Sequence, residues 1–148
     1  MFWRRAMRRF GLILLFGVLL FAGCTGTTGP KTPGRCSDAL YGVKWDVIMI
    51  DNTPVSLEKM PFIRFSKDGA IGGFGGCNAF FGEASVTETA IDFINIGGTR
   101  RYCAGQEGET ERRIFSILKG VKWWQFDEDD DLVIFDDEHR LILKKSAG

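Results

Sequence analysis

Residues 62–76 read F-I-R-F-S-K-D-G-A-I-G-G-F-G-G, and this stretch decides the fold class. Phe62 to Phe65 is a short apolar run of strand character. Lys67-Asp68-Gly69 follows, and Asp-Gly supplies the positive-φ positions that a tight turn between antiparallel strands needs. Ala70 to Gly76 returns as a second strand, weakened by glycines at 72, 73, 75 and 76. The segment is a hairpin, and its period of two recurs on both sides.

Upstream, Val43, Trp45, Val47 and Met49 alternate with Lys44 and Asp46, which predicts a half-buried strand. Downstream, Glu83 to Val86 and Ile91 to Ile96 form a further hairpin that ends at Gly97-Gly98. The period then changes once. In Glu109 to Lys119, E-T-E-R-R-I-F-S-I-L-K, Ile114, Ile117 and Leu118 share one side. Acids open this segment and Lys119-Gly120 close it, as suits a helix dipole and a glycine C′ position. Val121 to Phe126, Leu132 to Phe135 and Leu141 to Lys144 are three last strands with acidic turns between them. The expected fold class is α+β, mainly an antiparallel sheet or open, cracked β-barrel with one helix packed against it.

The N-terminus carries a different message. Arg4, Arg5, Arg8 and Arg9 precede an apolar run from Phe10 to Ala22 that is too short to span a bilayer. Leu20-Phe21-Ala22-Gly23-Cys24 resembles a bacterial lipobox, with Phe21 where leucine is usual. On this reading residues 1–23 are a signal peptide that is removed, and Cys24 becomes the lipid-attachment residue. Residues 24–38, rich in Gly, Pro and Thr, are a flexible tether, and 39–148 are one domain. A lipobox cysteine normally carries three acyl chains, enough for a stable membrane anchor. The expected location is the cell envelope, at the outer membrane facing the periplasm. Thr25 after Cys24 permits that transport.

Loss of the leader removes four arginines, leaving the 19 Asp+Glu in excess over the remaining bases. No basic stripe is left to track a phosphate backbone, so nucleic acid is not an expected partner.

The most specific internal string is Gly75-Gly76-Cys77-Asn78-Ala79-Phe80-Phe81-Gly82. Thr99-Arg100-Arg101-Tyr102-Cys103 comes some twenty residues later. Together they resemble the META domain, also called HslJ-like, a family that includes a heat-inducible bacterial lipoprotein. The family's G-C-N-x-F-x-G is met at Gly76, Cys77, Asn78, Phe80 and Gly82. Its T-x-M-x-C is met at Thr99 and Cys103, with Arg101 where methionine is usual. Trp45 matches the early strand tryptophan. The resemblance covers about Leu40 to Lys145. With Cys77 and Cys103 at the two motif positions, a disulfide between them is expected. In the chain-entropy model it is worth about 3 kcal/mol. Cys36 is then free in the tether or competes for a partner.

Two readings of the glycine string arise from the residues themselves. In one, it is a sharp corner between strands, with Phe80 anchored in the core and Asn78 bonded to nearby backbone. In the other, it lines a pocket with Asn78 and Thr99 as polar contacts. The structural reading is preferred. No Gly-Lys-Ser/Thr follows and the downstream pattern is not a helix, so a phosphate-cradling loop is not expected.

Other candidates are weaker. Asp127 to Asp131 imitates the start of a calcium loop, but Leu132 occupies the position of the obligatory glycine, so a solvated hairpin turn is expected. His139, the lone histidine, has no partners spaced for zinc. No cofactor, metal or catalytic motif is expected, and the chain reads as a non-enzyme. Trp123 and Trp124, adjacent on a strand, must point to opposite faces.

By resemblance, the expected function is that of a non-catalytic envelope lipoprotein linked to stress or antibiotic tolerance, acting as an interaction module. The rival is an assembly or pilot-type factor that shelters an apolar peptide or lipid in a barrel cleft. A filled interior favours the first reading, and an apolar groove between helix and sheet favours the second.

Overall fold

The computed structural model describes residues 37–147. The lipobox, Cys24, Cys36 and most of the tether lie outside these residues. A short 3-10 turn, Ser37–Leu40, opens the described chain and buries Leu40. The domain thus begins inside the end of the expected tether.

The strands are β1 (Lys44–Ile50), β2 (Thr53–Pro54), β3 (Phe62–Phe65), β4 (Ala70–Phe74), β5 (Ala79–Val86) and β6 (Ile91–Gly98). Helix α1 (Gln106–Leu118) follows, then β7 (Trp123–Phe126), β8 (Leu132–Phe135) and β9 (Arg140–Lys145). Among the described residues they make one antiparallel sheet in the order β6-β5-β4-β3-β1-β9-β8-β7, with β2 paired to β1. The sheet curls until its ends meet at one point. Ala90 bridges Trp123, and the N–H of Ile91 donates to the Lys122 carbonyl. The result is a half-barrel with a single helix packed against it, α+β as expected.

The hairpin at Lys67-Asp68-Gly69 forms. Gly69 has φ +88, and the Asp68 carboxylate accepts from the N–H of Ala70. Its second strand stops at Phe74, two residues short of the expected end, because Gly75 and Gly76 turn the corner into β5. Strand β5 starts at Ala79, earlier than Glu83, and carries Phe80 into the core.

The expected alternation in β1 breaks once. Trp45 and Val47 are fully buried, but the register against β9 shifts between Val47 and Met49. This bulge moves the inward parity by one residue, so Ile50 enters the core in place of Met49. Helix α1 begins three residues before Glu109 and ends at Leu118. Gly120 does not take up a left-handed C′ conformation; Lys119 is the C-cap with φ −76, and the helix closes with 3-10-type bonding.

The barrel interior is filled. Trp45, Leu40, Ile63, Trp124, Leu132, Ile134 and Leu141 are all at or near full burial, with Ile114, Ile117 and Leu118 of the helix added from one side. Both buried indoles find acceptors, Trp45 at the Leu40 carbonyl (3.0 Å) and Trp124 at the Thr87 carbonyl (3.0 Å). Trp123 points to the other face, half-buried against Phe135 with the Lys122 ammonium over its ring. No helix among the described residues is long and apolar enough to cross a membrane.

Candidate functional site

The glycine string forms the corner between β4 and β5, pressed against α1. Gly76 has φ +116, and a Cβ there would sit 3.0 Å from the Glu107 carbonyl of the helix. Gly73 lets the Phe80 ring lie on bare backbone: an added Cβ would meet that ring at 2.6 Å. Phe80 then stacks edge-on against Phe115 of the helix, with centroids 5.4 Å apart. Gly82 lies on β5 at the register shift against β6.

The next two residues fasten this corner. Cys77 and Cys103 form a disulfide that joins the corner to the loop entering α1. Asn78 is 5% exposed, and its amide is saturated at both ends. The Nδ2 group donates to the Arg101 carbonyl (2.9 Å) and to Glu111 Oε1 (2.8 Å). Oδ1 accepts from Thr99 Oγ1 (2.9 Å) and from the Arg101 N–H (2.7 Å). The other Glu111 oxygen accepts the backbone N–H groups of Cys77 and Asn78. Arg101 closes the ring of contacts with a guanidinium bond to the Cys77 carbonyl (2.8 Å). Two donors and two acceptances exhaust what a buried asparagine side chain needs. The arginine that stands at the family's methionine position is therefore built into the network as a backbone clamp.

Above this network lies a cleft of about 510 Å³ between the end of β6 and the helix. Ile96, Gly97 and Gly98 line one wall, and Glu111 and Phe115 of α1 with its C-cap Lys119, spaced about one turn apart, line the other. Arg100, Arg101 and Tyr102 form its rim, and Tyr102 is 87% exposed.

Of the residues singled out in the sequence, Gly76, Cys77, Asn78, Phe80, Thr99 and Cys103 come together here. Trp45 does not; it fills the barrel core from β1. Glu111, the centre of the network, carried no motif. Its only signal was position: it lies three and seven residues before Ile114 and Leu118, a carboxylate beside the apolar stripe of the helix.

A second cleft, of about 380 Å³, lies at the turns around Asp51 and His139. The Asp51 carboxylate meets His139 Nδ1 (3.2 Å), the N–H of Arg140 (2.9 Å) and Arg113 of the helix (3.5 Å). Burial pushes its pKa up, but the Arg140 N–H, the His139 charge and Arg113 outweigh that and hold it below 3.8. Such a carboxylate is a weak base, and no serine, threonine or cysteine lines this cleft among the described residues.

The acidic run is a hairpin turn: Asp127 Oδ1 accepts the N–H groups of Asp129 and Asp131. Burial, with help from Asp127 and Asp129, raises the Asp131 pKa against the pull of Lys144. Asp136 is held low by the N–H groups of Glu138 and His139.

The META domain family matches residues 38–148 of this sequence. The chain belongs to the META domain family. The solved structure of a protein from Burkholderia xenovorans superposes on it with TM-score 0.62 at 18% identity, covering 84% of this chain and 96% of that one. A second solved structure gives TM-score 0.59 at 24% identity, covering 73% and 92%. These two likenesses carry the fold of this META domain and nothing of its activity. No curated relative matches the chain.

Proposed function

We infer that this META domain is a non-catalytic interaction module, held at the cell envelope by lipid on Cys24 and facing the periplasm from the outer membrane. The observation that carries the reading is the commitment of the polar groups below the cleft. Asn78, Thr99 and Glu111 bond one another and the backbone, so they hold the corner and are not left free to act on a substrate. The disulfide supports an oxidising compartment. The filled barrel leaves no interior shelter for an apolar peptide or lipid, and the open cleft between β6 and α1 is lined by Arg100, Arg101, Glu111 and Lys119 as well as by Ile96 and Phe115, which supports a surface-acting module. A contribution to stress or antibiotic tolerance is the physiological role that accompanies this reading.

Two measurements test it. Cys24→Ser should shift the protein out of the membrane fraction of cells; continued sedimentation after high-salt washing overturns the anchor. A photo-crosslinking residue at Tyr102, on the cleft rim, should capture an envelope protein in intact cells. A crosslink pattern identical to that from Glu138, in the second cleft, removes the first cleft from the reading.

A further inference from the structure

We propose that the cleft between β6 and α1 takes an extended, acidic peptide segment, which adds to the sheet as a strand along the edge of β6. The inference rests on the interaction-module reading above and names the chemistry of the partner.

Three features of the fold carry it. The first is an open edge. Strand β6 ends the sheet order, and among the described residues only its start, at Ala90 and Ile91, is joined to β7. Beyond that point the sequence that would continue the pairing has turned into α1. The remaining edge runs from Asp92, its one charge, to Gly98; it carries no proline, and the register shift against β5 places a bulge at Asn95 (φ +55), beyond which Ile96 to Gly98 is uncharged. Ile94 is 40% exposed. Past the bulge, Ile96 to Gly98 is the part of the edge that can template one more strand.

The second is room. The cleft of about 510 Å³ runs beside that edge, with Gly97 and Gly98 presenting backbone without side chains and half-buried Ile96 and Phe115 as an apolar floor. A strand needs about 4.8 Å of lateral room, and every second side chain then faces the floor.

The third is charge. All 19 Asp+Glu of this chain fall within the described residues, yet Arg100, Arg101 and Lys119 converge on the cleft. One carboxylate, Glu111, lines it too, held toward the corner by the N–H groups of Cys77 and Asn78 and the Asn78 amide, while Arg101 bonds the Cys77 carbonyl; Arg100 and Lys119 are the exposed cations left to meet a partner. The cleft is thus a cationic spot on an acidic domain, since six of the 19 Lys+Arg but none of the 19 Asp+Glu precede residue 37. Its complement is a segment with apolar side chains toward the floor and carboxylates toward the rim.

The experiment uses the full chain and a capped decapeptide alternating valine and glutamate, followed by fluorescence anisotropy and amide hydrogen exchange. Binding is expected, with added protection at Ile96 to Thr99. The double reversal Arg100→Glu with Lys119→Glu touches exposed side chains and should weaken binding by about tenfold or more without altering the fold. Methylating alternate peptide nitrogens on the edge-facing side should abolish binding, because strand addition needs those N–H groups. The proposal is overturned if the peptide does not bind at millimolar concentration, or if its valine–lysine counterpart binds equally. It is also overturned if the N-methylated peptide binds as well, or if inorganic phosphate or anionic phospholipid vesicles compete equally at the same residues. None of these results bears on the Cys24 fractionation or the crosslinks, so the two readings fail separately.

Discussion

Helix α1 is tied to the sheet at two places, by residues only two positions apart, and the ties differ in kind. Glu111 reaches the glycine corner, where its carboxylate meets the corner's amides beside a disulfide. Arg113 reaches the turn after β1, where it meets the Ile50 carbonyl (3.3 Å) and the Asp51 carboxylate in an arrangement shared with His139. The first tie is a part-buried network around the buried Asn78 amide and is covalently reinforced. The second is half-exposed and ionic. Hydrogen bonds to a buried amide such as that of Asn78 are costly to break and little affected by salt, whereas a half-exposed ion pair is weak and titratable. The domain therefore has a rigid corner below the proposed cleft and a soft one at the opposite turns.

Breaking the rigid corner should give the largest effect. Cys77→Ser combined with Cys103→Ser should lower stability by about 3 kcal/mol in urea unfolding, and reduction of the wild-type protein should reproduce the loss. Next comes Glu111→Ala, which strands three donors; a loss of about 2 kcal/mol is expected, with Glu111→Gln recovering part of it. A Glu111→Ala protein as stable as wild type would contradict the account of the corner.

The soft corner sharpens the contrast. Asp51 has a folded pKa below its ordinary 3.8, so its stabilisation is present above pH 3.8 and is lost as pH falls through the folded value. Asp51→Asn should cost less than about 1 kcal/mol near neutrality, and the gap from wild type should close in acid and shrink in high salt. The smallest effect should carry the opposite sign. Asp131 has a raised pKa, so its carboxyl favours the folded state least once ionised, at pH values above the folded pKa. Asp131→Asn should therefore raise the thermal midpoint slightly at neutral pH and leave it unchanged in acid.

Much of this was readable in advance, and the misses have reasons. Phe62–Phe65 and Leu132–Phe135 match their expected bounds because each is a short apolar run between turn signals. The β1 bulge is not legible in the sequence because Val47-Ile48-Met49-Ile50 is apolar throughout, and only the pairing with β9 selects which residues face inward. Gly120 reads as a left-handed cap, but the chain leaves the helix through Lys119 with ordinary torsions. Within the site, Cys77, Asn78 and Thr99 stood out through their motif; Glu111 and Asp51 did not, since an acid in a helix or turn is usually solvated.

What the amino-acid order determined alone is the series of hairpins and the single helix, because turn chemistry and side-chain periodicity act over two to four neighbours. The tertiary structure decided which strand became the open edge, which acid met Asn78 across 33 residues, and which met His139 across 88. Those contacts depend on how the curled sheet brings distant segments together, and no local spacing encodes that approach.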